Sequence, residues 1–337
     1  MALSDILVFA VNSVLPVILL VALGYILKEK GFFSREFLKV ANKTVFRVLL
    51  PVLLFTNLAE LDSFSQLRWD AVLYVLAAIA ILFGIGLLFA RAVPDRYQKG
   101  VLLQCVFRSN FALVGVPLAQ LMAGEKGVQA VAILSAFTIP VFNVLSVISL
   151  SVYIQSESGA GGRIAKTMRG ILHNPLIIGV LAGIVCVLLK PLVHCLPTGM
   201  TLFLGKFTFV GTVLDYLAKA STPVALLVLG GQFEMSSIKD LKRQITLGVI
   251  GRLLFAPLIG IGGAALLQGL GFFRFDNGTY AALIALFGTP VAVASAIMAE
   301  EMGNDGQLAG QLVVWTTLLS AGVIFGSVLL MRALGFV

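Results

Sequence analysis

The sequence predicts an all-α polytopic membrane protein of ten transmembrane helices, arranged as two inverted five-helix repeats. Three observations carry that expectation. Of 337 residues 59% are hydrophobic and only 12% are charged, far from the soluble balance of roughly half apolar and a quarter charged. The apolar residues fall in repeated runs long enough for helical spans, which need roughly 20 residues to cross a hydrocarbon core of about 30 Å. β-barrel strands are shorter and alternate. Finally, two hydrophobic segments in corresponding halves of the chain are interrupted in the same way, the arrangement that places a binding site between the repeats of a transporter.

Apolar length, punctuated by Gly, Pro and charge, places spans near Ile6–Leu27, Leu38–Ala59, Ala71–Ala90, Gly100–Met122 and Val128–Ile154. Met1–Leu27 lacks the basic first region and small-residue cleavage site of a signal peptide, so it reads as the first permanent span. A Ser/Gly-rich linker follows at 155–170, dividing a first repeat (1–154) from a second (171–337). Second-half spans lie near Asn174–Leu196, Phe207–Gly231, Ile245–Leu270, Thr279–Ala299 and Leu308–Leu334. Five spans per half force the second half to enter the membrane in the opposite orientation, which makes the repeats inverted.

Basic residues orient the chain, because they accumulate on cytoplasmic loops. One alternate set of connections holds Lys28, Lys30, Arg35 and Lys39, then Arg91, Arg96 and Lys99, then Arg163, Lys166 and Arg169, then Lys239, Lys242 and Arg243. The opposite set holds only Arg68, Lys126, Lys190, Lys206, Arg274 and Arg332. Both termini are therefore expected outside a cell (inner) membrane, with the linker inside. The net charge of +8 has its explanation in topology; no basic cluster interleaved with aromatics suggests nucleic acid. Cys105, Cys186 and Cys195 show no metal or redox spacing and read as small buried hydrophobes.

The fourth span contains QCVFRSNFALVGVPL, in which Arg108, Ser109 and Asn110 interrupt an apolar run. Laying Phe107 on Phe287 sets Arg108 on Gly288, Ser109 on Thr289 and Asn110 on Pro290 of the ninth span. A charge at membrane depth is costly unless paired or wet, by roughly 2.5–3.5 kcal/mol on insertion scales, so Arg108 reads as an anion-binding or gating residue. The alternative is snorkelling, since Gly100 lies only about 12 Å of helix away. Gly115 and Pro117 in the fourth span, and Gly288, Thr289 and Pro290 in the ninth, are the expected helix breaks; half-helix N-termini exposed there would cradle a carboxylate. An ordinary kinked helix is the plainer reading.

Pro51 and Pro223 each free the carbonyl four residues earlier, at Arg47 and Lys219, where a cation could bind. Asp215 precedes Lys219 by one helical turn and either neutralises it or forms a proton- or ion-coupling site. Asn57, Asn143 and Gln311 are lesser polar candidates. Arg252, close to a cytoplasmic basic cluster, reads as a snorkelling anchor, and Glu300 and Glu301 as a solvated helix end. There is no GxSxG, HExxH or Walker-type loop, so no enzyme and no ATP-driven pump is expected, and no cofactor beyond a sodium ion or proton for coupling.

NKTVFRVLLPVLLF, FRSNFALVGVPLAQ and FGTPVAVASAIMAEEMG, in that order, make the whole chain resemble the auxin efflux carrier family, specifically its bacterial members with a short central loop. That resemblance implies a fold like that of sodium/proton antiporters and bile acid symporters, with the fourth and ninth helices broken and crossing. It also implies a homodimer, small carboxylate substrates such as malonate, malate or auxin-like acids, Asn110 and Asn143 as carboxylate contacts, and Pro290 as a crossover proline. Asn110 stands where the symmetrical proline would be, leaving the fourth-span break between Asn110 and Pro117. The leading expectation is a secondary transporter of a small organic anion, with Arg108, Ser109, Asn110, Asn143, Thr289 and Pro290 at the site and Arg47 or Lys219 adding positive potential. The alternatives are a sodium- or proton-coupled symporter of the same fold and a membrane ligand sensor.

Overall fold

A computed structural model describes residues 3–59, 68–154, 173–194, 208–235 and 237–336. The linker at 155–170 and Cys195 lie outside the described residues. Every element among the described residues is helical, apart from one isolated antiparallel bridge between Ser109 and Val291. Five helices there are long and apolar enough to cross a membrane, and the protein is a multi-pass membrane protein.

The first half comprises α1 (Leu3–Glu29), α2 (Arg35–Thr44), a π-helical turn Val45–Leu49, α3 (Leu50–Ala59), α4 (Trp69–Arg91), α5 (Arg96–Phe107) and α6 (Phe111–Val152). The long α6 is two limbs in space, since Gly124 turns left-handed inside it (φ 59°, ψ −142°), a conformation that suits a residue without Cβ. The limbs then pack so closely that a Cβ on Gly127 would lie 2.3 Å from the Ala119 carbonyl oxygen. The second half comprises α7 (Pro175–His194), α8 (Phe209–Gln232), the short α9 (Ser237–Asp240) and α10 (Lys242–Ile250). Two π-helical turns follow, Gly251–Phe255 and Leu258–Gly262, then α11 (Gly263–Gly269), α12 (Asn277–Phe287), α13 (Ala294–Glu301) and α14 (Gly306–Ala333).

Burial divides the side chains into two cores. The first joins α1, α3, α7 and α8 through Val17, Leu54, Val180 and Leu226, and takes in all the apolar residues of α13 from Ala296 to Ala299. The second joins α4, α6, α12 and α14 through Leu82, Leu118, Leu283 and Val328. Residues of α5 enter both, Leu102 and Cys105 on one side and Leu103, Val106 and Phe107 on the other. Small residues let helices of the first core touch: a Cβ on Gly230 would meet the Val21 carbonyl oxygen at 2.0 Å, and one on Gly179 the Pro51 carbonyl oxygen at 2.5 Å. Close backbone approach of this kind is how helices associate where lipid removes the hydrophobic drive.

Several expected breaks are absent. Gly115 and Pro117 lie within continuous helix, and α6 starts six residues before Pro117. Likewise α8 runs through Pro223, whereas Pro51 stands at the start of α3, directly after the π-helical turn Val45–Leu49. A missing N–H removes one rung; neighbouring packing carries the helix past it. The true interruptions are at 108–110 and 288–293, where α5 stops at Phe107 and α12 stops at Phe287, the pair that sequence alignment superimposes.

Candidate functional site

The crossing of the two interrupted segments follows from a backbone accounting. Residues Tyr280–Phe287 of α12 are wholly buried, so the last four carbonyls of this helix, which have no intrahelical donor, can reach neither water nor headgroups. Each finds a donor inside the protein. The Gly288 amide donates to Ile284 O (2.8 Å) and the Thr289 hydroxyl to Ala285 O (2.8 Å). Arg252 Nη2 donates to Leu286 O (2.9 Å) and Phe287 O (3.3 Å), its Nε to Thr289 O (2.9 Å), and its Nη1 to Phe107 O at the end of α5 (3.3 Å). Between the segments, the Asn110 amide donates to Pro290 O (2.8 Å), and the Val291 amide to Thr316 Oγ1 (3.2 Å).

Arg252 is therefore no snorkelling anchor. It is completely buried and clamps the C-terminal ends of both broken helices. The geometry that brings it there is local: it sits in a π-helical turn, and Gly251 lies so near α5 that a Cβ would meet Val106 at 2.7 Å. The cost argument that singled out Arg108 applies equally to this arginine. Its position near a basic cluster concealed it.

The helix N-termini point elsewhere. Phe111 at the start of the second limb of the fourth segment, and Ala292, Val293 and Ala294 at the start of α13, line one cavity of about 130 Å³ together with Arg108, Ser109, Asn110 and Asn143. Asn110 occupies the N-cap of α6 without a side-chain capping bond, so the terminal amides keep their positive end open. The Ser109 hydroxyl oxygen is buried without a hydrogen-bond partner. Arg108 is 4% exposed, which removes the snorkelling alternative. Its Nη2 donates to Asn143 Oδ1 (3.1 Å) and its Nη1 meets the Met298 sulfur. Asn143 is oriented by its own amide, which donates to Ile139 O (2.8 Å). Among the described residues no carboxylate lies within ion-pair distance of Arg108.

The remaining candidates divide. Asn57 and Thr222 also line the cavity, whose other walls are apolar, among them Leu50, Leu54, Ile139 and Phe142. Thr289 and Pro290 are not part of the lining; they build the crossing behind it. Arg47 is exposed and outside the cavity. Asp215 and Lys219 pair at 2.6 Å with both side chains substantially exposed, also outside it. Gln311 is a structural residue, donating to Glu234 O (3.0 Å). Glu301 is not simply solvated: it accepts from Asn42 Nδ2 (2.9 Å) at the edge of a separate polar cavity of about 540 Å³. Among the described residues no cluster of His, Cys, Asp and Glu could hold a metal ion.

A paired break, a crossing held by internal donors and a cavity lined by a buried arginine describe a carrier rather than an enzyme. Comparison with known proteins agrees. An uncharacterized transporter of Methanothermobacter thermautotrophicus is 28% identical over 315 residues, covering 92% of this chain and 94% of the relative. A proposed malonate transporter of Rhizobium meliloti is 24% identical over 339 residues, 95% of each. An uncharacterized transporter of Methanocaldococcus jannaschii is 25% identical over 234 residues, 68% of this chain and 70% of the relative. The family model described as "Membrane transport protein" matches residues 9–158 and 163–325, and the chain belongs to that family of transporters, the auxin efflux carriers.

Proposed function

We propose that this protein is a secondary transporter of a small organic anion, with one carboxylate seated on Arg108, Ser109 and Asn110 between two half-helix N-termini. The observation that carries the reading is a buried arginine that lines a cavity and, among the described residues, has no carboxylate within ion-pair distance. An uncompensated buried charge is destabilising by several kcal/mol, a cost that makes sense where a ligand supplies the counter-charge. Because Arg108 is the only charged residue among the described lining residues and most of that wall is apolar, the favoured substrate carries a single carboxylate on an apolar body. A dicarboxylate such as malonate would bring a second charge for which the described lining offers no second cation.

The proposed architecture is ten spans in two inverted repeats, 1–154 and 171–337, joined by a cytoplasmic linker, with both termini outside the cell membrane. The matched breaks after Phe107 and Phe287 support the repeat. Transport proceeds by alternating access, as the unit around the first core moves against the unit around the second. Asp215 neutralises Lys219 on the surface, so uniport or exchange is preferred to coupling through that pair.

The test is a thermal-shift screen of purified protein against monocarboxylates, dicarboxylates and indole acids. Ligand at a hundred times its dissociation constant adds about 2.7 kcal/mol to the folded state. An apolar monocarboxylate is expected to raise the melting temperature of the wild type and leave Asn110→Ala unmoved. A shift produced only by uncharged compounds would remove the anion site.

A further inference from the structure

The crossing carries a second arginine whose role differs from substrate binding. Unwound carbonyls and half-helix C-terminal ends are where transporters of broken-helix design hold a coupling cation, because the ends carry the negative pole of each helix dipole. Here Phe107 O, Leu286 O, Phe287 O and Thr289 O converge on the guanidinium of Arg252, which has no surface exposure. We infer that Arg252 is a tethered counter-cation: its guanidinium permanently fills the position at the crossing that a dissociable sodium ion would otherwise take, so transport by this protein needs no metal ion there. The inference rests on the transporter reading for its consequence and on the four carbonyl contacts for its substance.

The two buried arginines thus divide the work. Arg252 spends its donors on protein carbonyls at the negative helix ends. Arg108 is held by one asparagine and one thioether and faces the cavity at the positive ends. Arg252 is a positioning residue, fixing the break after Phe107 relative to the break after Phe287 and thereby the spacing of the two N-termini that face the substrate.

Wild type, Arg252→Ala and Arg252→Lys are purified in sodium-free choline buffer, and thermal unfolding is followed as choline is exchanged for sodium or supplemented with guanidinium at low millimolar concentration. The wild type is expected to melt identically in sodium and choline. Arg252→Ala is expected to melt lower and to recover with guanidinium or sodium relative to choline; Arg252→Lys is expected to stay near wild type and ignore both ions. If Arg252→Ala yields no folded protein, the lysine variant decides alone. Sodium-dependent melting of the wild type, a wild-type-like and ion-indifferent Arg252→Ala, or a lysine variant that fails to fold or needs sodium each overturns the inference. Carboxylate uptake into proteoliposomes, equal in sodium and choline, extends it to function. Absence of any carboxylate uptake would sink the transporter reading while leaving the melting comparison to decide on Arg252.

Discussion

Arg108 and Arg252 are both nearly invisible to solvent, yet they predict opposite phenotypes because their partners differ. Replacing Arg108 by Gln removes a charge that has no counter-ion among the described residues, so the ligand-free protein is expected to melt at the same temperature or higher, a trade of stability against activity. Carboxylate binding in that variant is expected to weaken by about 2–5 kcal/mol, the usual penalty for truncating one member of a buried charge pair; calorimetry with wild-type substrate reads both. Asn143→Ala leaves the guanidinium in place without the oxygen that orients it at 3.1 Å. Hydrogen bonds to charged groups contribute about 1.5–3 kcal/mol, so affinity for substrate should fall by tenfold or more with little change in the amount of folded protein. An Arg108→Gln variant that binds carboxylate as well as wild type would displace the arginine from the site.

At the scale of elements, irregular helix is satisfied by named side chains. The π-helical turn at Leu258–Gly262 is closed by Tyr74, whose hydroxyl donates to Ile259 O (2.6 Å) and Gly260 O (3.0 Å). Tyr74→Phe is expected to cost about 1–3 kcal/mol, the desolvation penalty of a buried polar group left unpaired, measured as a lower melting temperature in detergent. Gly260 faces the ring of Phe287, whose Cγ would sit 2.0 Å from an added Cβ. Gly260→Ala should push the last residue of α12 and cost about 1–3 kcal/mol as overpacking, with loss of transport because the crossing moves. The start of α12 is capped by Asp276, which accepts from the Thr279 amide (2.8 Å) and hydroxyl (2.7 Å). Partial burial raises this carboxyl, but Thr279 and the Arg68 guanidinium outweigh it and hold it below the ordinary aspartate range. A depressed carboxyl contributes stability that is present above its unfolded pKa and lost as pH falls through the folded value. Asp276→Ala should remove about 0.5–2 kcal/mol at neutral pH and flatten the acid limb of the melting profile. Where the sequence reading failed at this scale, at Gly115, Pro117 and Pro223, it equated a residue that weakens a helix with a break, whereas packing against neighbours carries each helix through.

Considered whole, the molecule is two cores meeting along the interrupted segments, and away from the cavity a polar contact ties α13, the half-helix that starts at the cavity, to α2: Asn42 of α2 donates to Glu301 at the end of α13 (2.9 Å). If α13 moves against α2 during transport, this contact has to open and close. With Cys105, Cys186 and Cys195 replaced by alanine, the pair Asn42→Cys and Glu301→Cys is expected to stop uptake under oxidising conditions and regain it on reduction. Unimpaired uptake in the cross-linked protein would exclude movement at this contact.

Membrane class, helical secondary structure and transporter family were legible in the residues themselves, because apolar length and the placement of Gly, Pro and charge are local properties that the bilayer reads directly. So was the interruption at Arg108, Ser109 and Asn110, since a charge within an apolar run is conspicuous against its neighbours. The alignment of Phe107 with Phe287 even marked both breaks, the second of which holds Pro290, whereas Pro117 lies inside continuous helix. Only the tertiary structure could decide what the buried charges face. Hydrogen-bond partners such as Phe107 O and Leu286 O stand far from Arg252 in sequence, and a carbonyl carries no signature in a one-letter code. The same separation explains why Thr289 and Pro290 proved to build the crossing rather than line the cavity, and why the Asn42–Glu301 contact was out of reach: each depends on which ends of broken helices are brought together, a matter of packing between distant segments rather than of local composition.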